Sequence, residues 1–310
     1  MEGKLKLIID CDVGVDDALA IMLALATPHV ELQAVSCVAG NVDVNKVCIN
    51  ALKVLDVCNQ LQVPVYKGCT TGLLGERLRA TFYHGIDGLG DAKNIDQPDI
   101  NLIKKEVAAI ALVRMVNERP GEISIAAIGP LTNIAIAMKL DPHFTEKVKE
   151  IVIMGGELEG RASNLTTEFN FTCDPEAVHI VLGESQCPVT IVPFEVTRRH
   201  AFTDEFLEDL LSRETRKAMF VKSITANSIE VDRRKNHLYT PCDLYAVAYL
   251  VDQSCVTKME RVHVQVELHG SLTRGKMIPD WNGKILKKHD ISIIMSMDME
   301  KLRKLFSAVM

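Results

Sequence analysis

A chain of 310 residues, 47% of them hydrophobic, is long enough to bury a sizeable core, and its net charge of −6 with scattered lysines and arginines excludes the basic face of a nucleic-acid binder. No apolar run reaches the roughly 20 residues of a membrane span, and the N-terminus lacks the charged, apolar and small-residue order of a signal sequence. Nine cysteines, an odd number without any CxxC pair, fit reduced thiols, so a soluble cytoplasmic protein with neither nucleic-acid nor membrane partners is expected.

The first elements in the chain set its theme. Leu5, Leu7, Ile8 and Ile9 read as a buried strand, Gly14 breaks it, and Ala18 to Ala26 read as an Ala-rich helix packed on a sheet. Four carboxylates fall on the turn between them. Asp10 and Asp12 leave the strand end two positions apart, pointing the same way, and Asp16 and Asp17 occupy the first helical turn. A helix start favours one or two anions, not four. Crowded together, the acids repel and raise one another's pKa unless a cation lies among them. An all-oxygen set suits Ca²⁺ or Mg²⁺ rather than zinc. A lone Asp-x-Asp is commonly a structural cap; the whole run between two apolar elements favours a metal site.

Glu31 to Val38 predicts a second strand, ending at Ala39-Gly40-Asn41, followed by a helix over Asn45 to Asn59 and a short strand from Pro64 to Tyr66. This alternation predicts the α/β class: an open, mostly parallel sheet with helices on both faces and ligand sites beyond the carboxyl ends of its strands. No composition break divides the chain, so residues 1–310 are expected to form a single domain. Lys67 to Asp99 is a long polar stretch of the length used for lids and binding loops, and its His84 either reaches a ligand or is simply exposed. Leu102 to Asn117 predicts a helix, Ile123 to Ile128 a strand, and Pro130 the opening of another helix. Ile151 to Met154 is a strand ending in Gly155-Gly156, where the backbone can approach another group closely.

Glu157 to Cys173 reads as an irregular loop carrying Glu168 and Asn170, and Asp174-Pro175-Glu176 as a capped helix start. Val189 to Val192 is expected to be the last parallel strand. Thr203 to Val231 reads as helical and Asp243 to Leu250 as a short apolar helix. The clusters Arg198-Arg199-His200 and Arg233-Arg234-Lys235 read as a solvated face or subunit contact, and Lys287-Lys288-His289 as a solvated turn. Val262, Val264, Val266 and Leu268 alternate with polar residues as in a half-exposed strand, with His263 and His269 outward or in a turn. A strand over Asp290 to Ser296 and a helix from Asp298 complete the chain.

The run Ile8-Ile9-Asp10-Cys11-Asp12-Val13-Gly14-Val15-Asp16-Asp17-Ala18-Leu19-Ala20 resembles the signature of the nucleoside hydrolases, Ca²⁺-dependent enzymes that cleave the N-glycosidic bond of ribonucleosides. The likeness continues, in order, through Ala39-Gly40-Asn41, Ile128-Gly129-Pro130-Leu131-Thr132-Asn133, Ile153-Met154-Gly155-Gly156, Glu168-Phe169-Asn170 and Asp243 before Ala246-Val247-Ala248-Tyr249, so it covers nearly the whole chain. The resemblance implies the nucleoside hydrolase fold, a ribonucleoside substrate, and Ca²⁺ held by Asp12, Asp17, Asp243 and the main-chain carbonyl of Ile128. It implies Asp16 as general base and Asp10 as a group that positions the others. Asn41, Met154, Glu168 and Asn170 would surround the ribose. On pattern alone Asn41 is a turn residue, Met154 a core residue and Glu168 a surface acid, and Phe169 is expected in the core. Relatives of this kind are commonly homodimers or homotetramers, and the same is expected here.

Two positions depart from the family's pattern. The residue before the metal-binding Asp is His in the familiar members and Cys242 here, which is similar to a subgroup carrying Cys. A thiol can donate a proton to the leaving base but lacks imidazole's poise at neutral pH; His84 and His237 are the substitutes. In the loop before Glu168 the pattern's Asn aligns with Ala162, with Asn164 displaced by two. The chemistry expected is charge stabilisation of an oxocarbenium-like ribosyl group and deprotonation of a metal-held water. A nucleoside-binding pseudoenzyme without turnover and, more distantly, a metal-dependent phosphohydrolase stand as alternatives.

Overall fold

In the computed structural model the described residues are 3–75, 78–161, 165–285 and 290–310. Ala162, Asn164 and the Lys287-Lys288-His289 run lie outside them. Ten strands form the sheet: β1 Leu5–Cys11, β2 Val30–Cys37, β3 Val65–Lys67, β4 Ile103–Lys104, β5 Ile123–Ala127, β6 Glu150–Met154, β7 Val189–Val192, β8 Val256–Val266, β9 Met277–Pro279 and β10 Asp290–Met297. Their spatial order is β4-β3-β2-β1-β5-β6-β7-β10-β8-β9. All neighbours from β4 to β10 run parallel, and β8 and β9 add the antiparallel edge.

Successive residues of a strand point to opposite faces, and β1 shows the consequence. Leu7, Ile9 and Cys11 join a core with Val35, Val152 and Val192 on one face. Ile8 joins Ile125, Ala127, Ile151 and Ile153 on the other. The first core is roofed by the helices Val15–Ala26, Val44–Val57, Arg216–Arg234 and Cys242–Val251, the second by Ala108–Glu118, Thr132–Leu140 and Pro175–Glu184. The helix Val15–Ala26 is apolar nearly all round because it is buried against both the sheet and the Cys242–Val251 helix.

Several expectations need correction. β7 is not the last parallel strand: Ser292 and Ile293 of β10 pair in parallel with Thr190 and Ile191. Strand direction is a tertiary property that local patterning does not encode. The expected helix over 102–117 starts only at Ala108. Asp99 caps a 3-10 turn over Ile100–Leu102, and Ile103 and Lys104 then pair with Val65 and Tyr66. The stretch 203–231 is two helices, Asp204–Leu211 and Arg216–Arg234, the second capped by the Thr215 hydroxyl. His263 is buried rather than outward, since β8 lies between β10 and β9 and is not a free edge.

Candidate active site

The site sits where the winding of the sheet reverses. β2 lies on one side of β1 and β5 on the other, and such a switch point opens a crevice beyond the carboxyl ends of the strands. The strand ends there deliver Asp12, Asn41, Ile128 and Met154, and the start of the Cys242–Val251 helix delivers Cys242 and Asp243. Together with Asp16, His84, Glu168 and Asn170 these residues line one cavity of about 580 Å³.

The acidic turn forms its floor. One carboxylate oxygen from each of Asp16, Asp17 and Asp243 lies within 4.8 Å of the others, and all three residues are buried. Asp17 accepts from the amides of Asp12 at 3.2 Å and Gly14 at 2.8 Å, tying the turn to the helix it precedes. Asp12 stands at the edge of this trio, its carboxylate accepting from the Asn41 amide at 2.7 Å. Burial, then the charge of Asp17, raises Asp12 well above the usual carboxylate range. Burial, then the charges of Asp16 and Asp17, does the same to Asp243, and burial raises Asp17 to about 7. Asp16 Oδ1 is buried with no hydrogen-bond donor in the described structure, and His84 Nδ1 lies 3.8 Å away. Three converging carboxylates, one with an unsatisfied oxygen, form a donor set that a hard divalent cation fits.

Two glycines permit this crowding. A Cβ at Gly40 would fall onto the Asp12 carboxylate, and one at Gly14 would strike the His84 ring and lie 2.7 Å from Asn41 Nδ2. The bare backbone at 14 also leaves room for His84 Nδ1 to accept from the Val15 amide at 3.2 Å. That bond fixes the neutral ring with its proton on Nε2, and burial lowers the histidine's pKa in the same sense.

Asp10 turns away from the trio. Its carboxylate accepts from the Ser36 hydroxyl and from Asn133 Nδ2 at 2.9 Å, while its carbonyl receives the Ile128 amide at 2.8 Å. It therefore fixes the relative heights of β1, β2 and β5, and burial raises it to about 7. Glu168 caps the short helix Phe169–Cys173, accepting from the amides of Asn170 at 2.8 Å, Phe171 at 3.1 Å and Gly156 at 3.0 Å. Burial raises it to about 7 against those three bonds. Asn170 Nδ2 donates to the carbonyls of Ile128 at 2.9 Å and Met154 at 3.2 Å. Phe169 is not in the core: it is half-buried and lines the cavity, and Phe171 takes the core place.

Cys242 faces the cavity, but its thiol donates to the Thr240 carbonyl at 3.6 Å and receives the Thr197 hydroxyl at 3.2 Å. Burial, then the charge of Asp16, pushes the thiol's pKa up. The roof holds a residue whose cluster reads, in sequence, as a solvated face or subunit contact. Arg198 lines the cavity with its side chain only 21% exposed and pairs with Asp232 at 3.1 Å. The pattern Arg-Arg-His hid this, because Arg199 beside it is exposed and pairs with Glu159. Both arginines stand in the last turn of the short helix Phe194–Arg199 and both line the cavity, Arg198 half-buried and Arg199 exposed.

The family model described as inosine-uridine preferring nucleoside hydrolase matches residues 7–304. The chain belongs to the nucleoside hydrolase family. It is 34% identical over 300 residues to the inosine-uridine preferring nucleoside hydrolase of Leishmania major, covering 96% of this chain and 94% of that protein. It is 31% identical over 307 residues to the non-specific ribonucleoside hydrolase RihC of Salmonella newport, covering 98% and 97%. Among solved structures, an inosine-guanosine nucleoside hydrolase superposes with a TM-score of 0.92 at 33% identity, covering 98% of each chain. Its fold is thus that of the nucleoside hydrolases, and the class of reaction is that of an N-ribohydrolase. Among the described residues no helix is long and apolar enough to cross a membrane.

Proposed function

We propose that this nucleoside hydrolase releases a free nucleobase and ribose from a ribonucleoside in a Ca²⁺-dependent reaction. The observation that carries the reading is the buried trio Asp16, Asp17 and Asp243, with its unsatisfied oxygen, at the floor of a cavity also lined by Asn41, Glu168 and Asn170. Asp12, Asp17, Asp243 and the Ile128 carbonyl are the proposed ligands. A bound Ca²⁺ would orient a water and the ribose hydroxyls and lower that water's pKa.

The protein's own groups do the rest. Asp16, whose Oδ1 lacks a donor, takes the water's proton as general base. Asn41, Glu168 and Asn170 hydrogen-bond the ribose hydroxyls, and Met154 forms an apolar wall beside Asn170, its sulfur 3.8 Å from Nδ2. Glu168 is held by three backbone amides before substrate arrives, so little reorganisation is needed on binding. Asp10 keeps β1, β2 and β5 in register beneath the turn. Cys242 in the place of a histidine supports membership of the Cys-bearing subgroup. His84 is the proposed polar partner of Asp16.

The same reading extends to a homodimer or homotetramer working in the cytoplasm. All nine cysteines are free thiols, which suits a reducing compartment. The experiment is a nucleoside panel assayed by base release, with calcium and with chelator. Metal-dependent release of base and free ribose is expected. Tight nucleoside binding without product, or phosphate release from nucleotides outpacing base release, sinks the reading.

A further inference from the structure

The acidic floor does not explain the charge network in the cavity roof. Arg198 Nη1 donates to Asp232 Oδ1 at 3.1 Å and lies 3.3 Å from the Thr240 hydroxyl, and the other Asp232 oxygen accepts from the Tyr83 phenol at 2.8 Å. Asp232 is 6% exposed at its side chain, so the pair is largely removed from water and its geometry is fixed from two sides. The guanidinium lies 6.0 Å from the centre of the Phe194 ring, and Nε and Nη2 make no hydrogen bond to any described residue. A largely buried ion pair that keeps two donor nitrogens unspent on the wall of a cavity is arranged to receive an acceptor from a ligand.

The side chains that the sequence offers for protonating the base are placed differently. The Cys242 S–H is donated to Thr240, and His84 belongs to the floor, between the Val15 amide and Asp16. His237 sits on an exposed segment at the mouth. Resting on the nucleoside hydrolase reading above, we propose that Arg198 is the leaving-group residue, a permanent cation positioned by Asp232 and Tyr83 that selects bases with an oxygen at purine C6 or pyrimidine C4, the 6-oxopurines and uracil. As the C1′–N bond breaks, its electron pair goes to the base nitrogen. A water oxygen bonds to C1′ and its proton passes to Asp16. The base departs as an anion whose charge spreads onto its carbonyl oxygen, where Arg198 donates, and it takes its proton from solvent. Adenine and cytosine present an NH₂ donor at the corresponding carbon, which opposes a guanidinium that can only donate.

The test measures kcat/KM of the full-length, calcium-loaded protein and of Arg198→Gln and Arg198→Lys on inosine, uridine, adenosine and p-nitrophenyl riboside. The last substrate expels a phenolate that needs no assistance. The glutamine variant is expected to lose about 10²–10³-fold on inosine and uridine but less than about tenfold on the nitrophenyl riboside, with the inosine-to-adenosine ratio collapsing. Lysine keeps the charge without the fork and should fall between. Asp232→Asn, a change at a positioning residue, should lower inosine turnover selectively and more mildly. Equal losses on inosine and nitrophenyl riboside, or undiminished inosine turnover in Arg198→Gln, overturns the assignment. If the unaltered protein cleaves neither kind of riboside, the hydrolase reading itself falls.

Discussion

The side-chain amide nitrogen of Asn170 stands 2.9 Å from the main-chain oxygen of Ile128. A carbonyl oxygen has two lone pairs, so this bond aims the oxygen while leaving a second direction open for a cation. Removing the amide in Asn170→Ala frees both Ile128 and Met154 from a shared donor. Calcium affinity of the substrate-free protein is expected to fall by about 10–100-fold. Calorimetry checks it; an unchanged calcium Kd accompanied by a raised KM would reduce Asn170 to a sugar contact.

In the proposed mechanism Asp12 holds the ion and Asp16 takes the proton, and two isosteric variants separate these roles. Asp16→Asn should cut kcat by about 10²–10⁴-fold with calcium binding largely kept. Asp12→Asn should weaken calcium binding first and turnover in consequence. A reversed pattern in the two calcium isotherms would exchange the roles, a result compatible with Asp16 belonging to the tight trio.

Glu168 gives a pH dependence of unusual sign. Burial raises its pKa from 4.5 to about 7, so between those values the native state holds a proton that the unfolded chain has released. Its contribution to stability is therefore largest at low pH and declines as pH rises through that window. In metal-free protein the stability of Glu168→Gln relative to the unaltered chain should increase from pH 5 to pH 8, by on the order of 3 kcal/mol at most. Denaturant titrations at several pH values measure it, and parallel curves for the two proteins would contradict it.

Gly40→Ala tests the packing of the acidic turn. The added methyl would occupy the position of the Asp12 carboxylate, so either the side chain or the strand end must move. Calcium affinity and turnover should drop together by about tenfold or more. An alanine variant with both properties intact would show that the turn has slack the structure does not display.

Much of this was legible in the sequence because the decisive signals are local. The run of four aspartates around Gly14 marks the turn at which the buried acidic cluster forms, and the βαβα alternation sets that turn at the strand ends. What escaped were properties fixed by distant partners. Arg198 gains its meaning from Asp232 and Thr240, more than thirty residues away, and Phe169 and Phe171 are two apolar neighbours that only the short Glu168-capped helix assigns to cavity and core. Asp10 shows the reverse: two positions from Asp12, it is expected to point the same way, but β1 ends at Cys11, so Asp10 stays within the sheet with its carboxylate on Ser36 and Asn133 while Asp12 lies past the strand end.

The Glu195 carboxylate accepts the amides of Leu158 and Glu159 while the Phe194 amide donates to the Gly156 carbonyl, and Arg198 rides on that same helix. Residues 156–159 are thereby riveted to the helix that carries the Arg198 guanidinium, so the proposed sugar and base contacts would share one chassis. A shift of this helix would therefore move both sets of contacts at once, whereas side-chain swaps at the mouth, around Phe82 and the 235–238 segment, where the residues are exposed, would leave the frame in place.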